Sequence, residues 1–266
     1  MIVKLKDKII IVTASTRGIG LAITEAFARE GAKVYMAARS TEKAQIIADR
    51  LNSEGCNVRC IYNDASIPDS YYGMADSVAK AEGRIDVLVN NFGISDPQRD
   101  LDIMNTEADV FLETVTVNLR SVFMATKHVL GYMMEHGGSI INISSVGGAV
   151  PDISQIAYGT SKAAINHLTR MIAVQEAANG IRCNAILPGM TATDAVQTKL
   201  SEDFKSLFTK HIPLGRMGLP AEIAAAAVYF ASDDSAYTTG QLLTVSGGFG
   251  MATPIYGDLA GKIGKR

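Results

Sequence analysis

The sequence has no tryptophan, only three cysteines in 266 residues, and seven prolines. The thiols Cys56, Cys60 and Cys183 are an odd number at no metal-ligand spacing. That excludes a disulfide-stapled scaffold and a zinc module, and it fits small buried hydrophobes in a reducing compartment. The four histidines, His128, His136, His167 and His211, are scattered, so no metal centre is expected. A net charge of −2 gives no general attraction to nucleic acid or to an anionic membrane. No apolar run reaches the roughly 18 residues of a membrane span. Residues 1–8 carry too much charge for a signal peptide, and a cytoplasmic protein is expected. Internal repeats and Pro/Ser-rich linkers are also missing, which argues for a single domain over 1–266.

What is present is globular: 47% hydrophobic and 20% charged residues, enough for a large core. Short apolar runs fall at 9–12, 34–38, 58–62, 85–89, 139–143, 183–187 and 242–245. Helical patterns fall between them at 19–29, 42–52, 70–82, 110–135, 157–178 and 221–231. Continuous apolar strands alternating with helices predict a seven-stranded parallel sheet covered on both faces, a single-domain doubly wound α/β fold of the Rossmann type. A (β/α)8 barrel would need an eighth unit and gives no reason for a glycine fingerprint in the first turn.

That fingerprint is Thr13-Ala14-Ser15-Thr16-Arg17-Gly18-Ile19-Gly20, directly after the first strand. In a doubly wound fold this turn holds a pyrophosphate on the free N–H groups of the following helix. About 20 residues on, an NAD-binding domain usually carries an acid for the ribose hydroxyl. Here the second strand ends Ala37-Ala38-Arg39-Ser40-Thr41 with no acid, and Glu42 falls in the first turn of the next helix. Arg17 and Arg39 would converge on a 2′-phosphate, which predicts NADP as the cofactor.

Tyr158 and Lys162 are four apart and share one helix face. An ammonium beside a phenol stabilises the phenolate and is expected to lower the tyrosine pKa, giving a proton donor and acceptor near neutral pH. Ser145 follows an apolar strand, at the carboxyl end where ligands bind in open α/β sheets; Ser144 is its neighbour and rival.

Taken in order, Thr13…Gly18-Ile19-Gly20, Asn90-Asn91-Phe92-Gly93, Asn118, Ser145, Tyr158 with Lys162, and Pro188-Gly189 resemble the short-chain dehydrogenase/reductase family over essentially the whole chain. The resemblance implies hydride transfer between a nicotinamide and an alcohol or ketone. It implies Tyr158 as general acid/base, Ser145 as hydrogen-bond partner of the same substrate oxygen, and Lys162 as holder of the nicotinamide ribose. Asn118 would anchor a water, and Asp64 and Ala65 would lie at the adenine. Ser15, Thr16, Asn90, Asn91 and Gly93 would line the cofactor cleft, with Pro188, Gly189, Met190 and Thr193 at the nicotinamide end. A homotetramer is implied, with segments 110–135 and 157–178 at one interface.

The sequence departs from the family twice. Ala14 stands where the family has its first glycine, and Phe92 replaces a small residue, either to edge the substrate pocket or to fill core. Residues 150–156, the Asn-Asn-Phe-Gly wording and the tail resemble the bile-acid 7α-hydroxysteroid dehydrogenases within the family, which implies a steroid substrate. Val150, Phe92 and Met190 would wall the pocket together with Ser145 and Tyr158, a loop at about 190–212 would close over it, and a tail at about 249–266 would border it. Lys199, Lys205, Lys210 and Arg216 are the cations available to a bile-acid carboxylate, and sequence does not choose among them.

Overall fold

The computed structural model describes residues 3–253 and 255–262. The apolar runs form strands β1 (Ile9–Thr13), β2 (Lys33–Ala38), β3 (Asn57–Tyr62), β4 (Val87–Asn90), β5 (Gly138–Ile143), β6 (Ile181–Pro188) and β7 (Leu242–Val245). They make one all-parallel sheet in the order β3-β2-β1-β4-β5-β6-β7. Strand order reverses between β1 and β4, so a crevice opens beyond the carboxyl ends of these two strands.

The helical patterns become α1 (Gly18–Arg29), α2 (Thr41–Ser53), α3 (Asp69–Glu82), α4 (Ala108–Met133), α5 (Ile156–Gln175) and, after two short helices, α8 (Pro220–Ala231). Ser40 caps α2 by accepting from the Lys43 N–H, and Glu42 lies in the first turn as expected. One core cluster packs α1, α2 and α8 on the sheet through Ile23, Phe27, Leu51, Ile223 and Phe230. The other packs α3, α4 and α5 through Tyr71, Met74, Val129, Met133 and Ile172. All three cysteines are free thiols; Cys183 is fully buried, and burial pushes its thiol well up.

The structure corrects the reading of 190–212 as a loop. It contains α6 (Asp194–Lys199) and α7 (Glu202–Thr209), and the tail forms α9 (Tyr256–Lys262). Thr193 and Ser201 cap α6 and α7 through their side chains, and Asp194, Glu202 and Asp203 occupy the first turns. These pieces are too short for periodicity to reveal and owe their form to caps and packing. Residues 254 and 263–266 of the expected tail lie outside the described residues.

Candidate active site

Strand β5 delivers Ser144 and Ser145 to the crevice, and α5 begins eleven residues later at Ile156. The Ser145 hydroxyl hydrogen-bonds the Tyr158 phenol and accepts from the Gly147 N–H at 3.1 Å. Ser144 is buried and donates to the Lys162 carbonyl at 3.2 Å, so it braces the helix and Ser145 faces the crevice. Lys162 is 3% exposed; its Nζ donates to the Ile143 carbonyl at 2.9 Å and lies 5.6 Å from the centre of the Tyr158 ring. A Cβ on Gly93 would come within 3.1 Å of that Nζ, a tight contact.

The electrostatics correct one expectation. Burial pushes the Tyr158 phenol above its ordinary value, the Ser145 hydrogen bond pulls it back in part, and the Lys162 charge does not set its direction. Lys162 is itself desolvated, and burial drops its pKa to about 8.

Asn118 is fully buried in α4. Its Oδ1 accepts from the Ile94 N–H at 2.8 Å, while its Nδ2 donates to the Ile94 carbonyl at 3.0 Å and to Ser161 Oγ at 2.9 Å. Ser161 Oγ in turn donates to the Tyr158 carbonyl at 2.7 Å. A residue that the sequence reading missed completes this frame: the buried Asp100 accepts from the Ala157 and Tyr158 N–H groups, both at 2.9 Å.

Across the crevice, none of the backbone N–H groups from Thr16 to Gly20 donates a hydrogen bond among the described residues, although these residues open α1. A Cβ on Gly20 would strike Ala14 O at 2.6 Å and Asn91 Nδ2 at 2.4 Å. Asn91 braces the turn from the next strand, its N–H donating to Thr13 Oγ1 at 2.9 Å and its Nδ2 to the Ala14 carbonyl at 3.1 Å. Asn90 is buried, and its Nδ2 donates to Thr126 Oγ1 and Asn142 Oδ1. Thr193 lies against Gly18, and Gly189 against Ser246 beyond β7, so the turn after β6 borders the same crevice. Asp64 accepts from the Ser66 N–H and hydroxyl, which hold its carboxyl below the usual range, with Arg39 adding to the drop. Ala65 is buried and packs in the α3–α4 core cluster.

The backbone at Ala14 has a φ of 51°, the left-handed region that a methyl disfavours. Ala14→Gly is expected to stabilise the fold by about 0.5–1 kcal/mol, the relief of that strain less the entropy glycine returns to the unfolded chain. An unchanged or lower urea midpoint would contradict this.

A phenol and hydroxyl at one carboxyl end and a bare phosphate-facing turn at the switch point suit a dinucleotide oxidoreductase. The family model described as enoyl-(acyl carrier protein) reductase matches residues 13–250. The chain belongs to the short-chain dehydrogenase/reductase family. It is 46% identical over 260 residues to a 7α-hydroxysteroid dehydrogenase of Paraclostridium sordellii, covering 97% of each chain. It is also 46% identical over 257 residues to one of Clostridium sardiniense, covering 96% of this chain and 98% of the other. The solved structure of a short-chain type dehydrogenase/reductase from Mycobacterium marinum superposes with a TM-score of 0.88 at 33% identity, covering 94% of this chain and 98% of that one. Members of this family are oxidoreductases that use nicotinamide cofactors, and the open N–H groups and glycine cradle of the first turn fit one.

The residues expected at the substrate divide. Val150 touches the tail, since a Cβ on Gly250 would meet it at 2.8 Å, and Met190 sits half-buried at the start of the segment carrying α6 and α7. Phe92 is partly buried and packs against the core cluster of α3, α4 and α5. The segment and tail are joined: Phe208 stacks on Phe249 at 4.6 Å between ring centres, and Lys210 pairs with Asp258. Of the candidate cations, Lys205 is held by Glu202 and the Gln197 carbonyl, and Arg216 by Glu222. The Lys199 side chain lies outside the described residues.

Proposed function

We propose that this protein oxidises the 7α-hydroxyl of bile acids such as chenodeoxycholate and cholate to the 7-oxo products, reversibly, with NADP. The observation that carries the reading is the 46% identity, over nearly the full length, to two 7α-hydroxysteroid dehydrogenases. NADP is supported by Arg17 and Arg39: both are exposed, neither guanidinium has a hydrogen-bond or ion-pair partner among the described residues, and no carboxylate ends β2. Thr16 to Gly20 would hold the pyrophosphate, Arg17 and Arg39 the 2′-phosphate, Asp64 and Ala65 the adenine, and Met190 and Thr193 the nicotinamide end.

The chemistry supplied by a bound nicotinamide would be hydride transfer at C7. Tyr158 Oη accepts the hydroxyl proton in oxidation and gives it back in reduction, while Ser145 Oγ hydrogen-bonds the same oxygen and fixes its position. Lys162 Nζ would hold the ribose, and α6 and α7 with the stacked tail would exclude water. Asn118 anchors a water at its remaining Oδ1 lone pair, its Nδ2 being committed to Ile94 and Ser161.

A homotetramer is supported by apolar residues left open on the outer faces of α4 and α5, Leu112, Phe123, Met171 and Val174. A cytoplasmic setting is supported by the three free thiols. Among the described residues no helix is long and apolar enough to cross a membrane. A second reading, reduction of a 3-oxoacyl thioester, draws on the 36% identity over 247 residues to a 3-oxoacyl-[acyl-carrier-protein] reductase of Escherichia coli.

The test is the initial rate of reduced-nicotinamide formation with chenodeoxycholate and its 7β epimer ursodeoxycholate, each with NADP and with NAD. Turnover of the 7α epimer alone, mainly with NADP, is expected. Failure with both epimers, alongside turnover of a 3-oxoacyl thioester, would replace this reading with the second. In the same assay Arg39→Ala is expected to lower kcat/KM for NADP roughly 10- to 100-fold, the loss of one charge-assisted phosphate contact. An unchanged cofactor preference would remove the 2′-phosphate role.

A further inference from the structure

The first turn of α5 is built in an unusual way. Its N-cap residue, Gln155, sits in the left-handed region at a φ of 59° and gives the helix no side-chain cap. The orphan N–H groups are satisfied instead from a segment more than fifty residues away in sequence. Gln155 N–H donates to the Asp100 carbonyl at 3.1 Å, Ile156 N–H to the Leu101 carbonyl at 3.2 Å, and the Ala157 and Tyr158 N–H groups to the two carboxylate oxygens of Asp100. Asp100 is 0% exposed, and its own backbone is pinned by an N–H bond to the Asp96 carbonyl at 2.8 Å. Ser95 Oγ donates to Gln155 Oε1 at 2.8 Å and ties the same two segments together again.

The Tyr158 peptide is therefore gripped from both sides. Asp100 holds its N–H, and Ser161 Oγ, carried by Asn118, holds its carbonyl. Asn118 also grips Ile94, at the start of the segment that carries Asp100. A phenol that must hand a proton to one oxygen needs its ring root fixed to a fraction of an ångström, and a displacement of about 1 Å costs on the order of a hundredfold. A carboxylate bridging two N–H groups of a helix's first turn also gains from charge-assisted bonds and from the helix dipole.

We propose that Asp100 is a positioning residue for the reaction: its buried carboxylate bridges the Ala157 and Tyr158 N–H groups and sets where the Tyr158 phenol stands. This rests on the functional reading above only for the choice of substrate. In Asp100→Asn one carboxylate oxygen becomes an NH₂ that faces an N–H, so one of the two bonds is lost with almost no change in volume. Asp100→Ser keeps a short acceptor able to cap one N–H.

The experiment measures kcat and KM of both variants in the full-length protein, together with amide hydrogen exchange at residues 157 and 158. Asn52→Ala is the control: it removes a side-chain clasp on Val58 at the far side of the sheet and destabilises without touching the site. Both Asp100 variants are expected to lose kcat 10- to 100-fold, with KM for NADP within about twofold of wild type, while the two amides exchange at least tenfold faster. Asn52→Ala is expected to keep wild-type kcat. Unchanged protection of the two amides would overturn the bridge. Faster exchange with unchanged kcat, or kcat and NADP binding lost in parallel in both variants as in a partly unfolded protein, would overturn the positioning role. The functional reading fails separately, by absence of wild-type turnover with bile acids. In that event the variant-to-wild-type ratio is read with whichever alcohol or ketone the wild type converts.

Discussion

Tyr158→Phe is expected to lower kcat for bile-acid oxidation roughly 10²- to 10⁴-fold, the usual worth of a general acid/base, while NADPH binds as in the wild type. The substitution removes one oxygen and leaves the ring. The Tyr158 backbone is held by Asp100 and Ser161 independently of the phenol, so the fold has no reason to move. The hydroxyl's partner, Ser145, keeps its own bond to the Gly147 N–H. Because both hydroxyls act on one substrate oxygen, adding Ser145→Ala to Tyr158→Phe should cost much less than it costs alone. Burial pushes the phenol above its ordinary value, so oxidation, which needs the phenol to accept a proton, should speed up as pH rises into the alkaline range. Reduction should slow over the same range, and the phenylalanine variant should lose both dependences. A variant that retains a tenth or more of wild-type kcat would remove Tyr158 from the acid/base role.

What the sequence made legible is what repeats or sits close together. Seven apolar runs placed the strands within about two residues; β1, β2, β4, β5 and β6 are buried nearly throughout, while the edge strands β3 and β7 are partly exposed. Tyr158 and Lys162 were visible because one helical turn separates them, and Ser145 because it ends a strand. The misses have physical reasons of their own. α6, α7 and α9 have six to eight residues each, below the length at which a helix declares itself by periodicity, though the Thr193-Asp194 and Ser201-Glu202 caps were there to be read. Asp100 lies 57 and 58 positions from its two partners, and nothing local marks an aspartate as a cap for a helix in another part of the chain. The lysine's effect on the tyrosine was misjudged because pairing was read from spacing and desolvation was not, and burial affects both groups.

Lys162→Met is expected to abolish useful turnover and yet to raise stability at neutral pH. The side chain is 3% exposed, has no carboxylate partner, and its pKa is depressed to about 8 by burial alone. A depression of that size from the usual lysine value means that folding with the ammonium inside costs about 3 kcal/mol. Methionine fills similar volume without the charge. It leaves the Ile143 carbonyl short of one donor, which costs roughly 1–2 kcal/mol, so a net gain of about 1–2 kcal/mol remains. The sign of the pH dependence follows from proton counting. Between the folded pKa near 8 and the ordinary lysine value of 10.5, the unfolded wild type binds a proton that the folded form does not, so wild-type stability rises with pH there. The variant's advantage is thus full below about pH 8, shrinks through the window, and reverses near its top, where the neutral amine still donates to Ile143. Urea midpoints of both proteins at pH 7 and pH 10 read the effect directly. Loss of activity without this crossing would mean that the lysine is not held as a desolvated cation. The crossing together with retained turnover would mean that the lysine is not needed for the chemistry. In contrast to Tyr158→Phe, this variant should also bind NADP more weakly, which separates a group that holds the cofactor from one that only moves a proton.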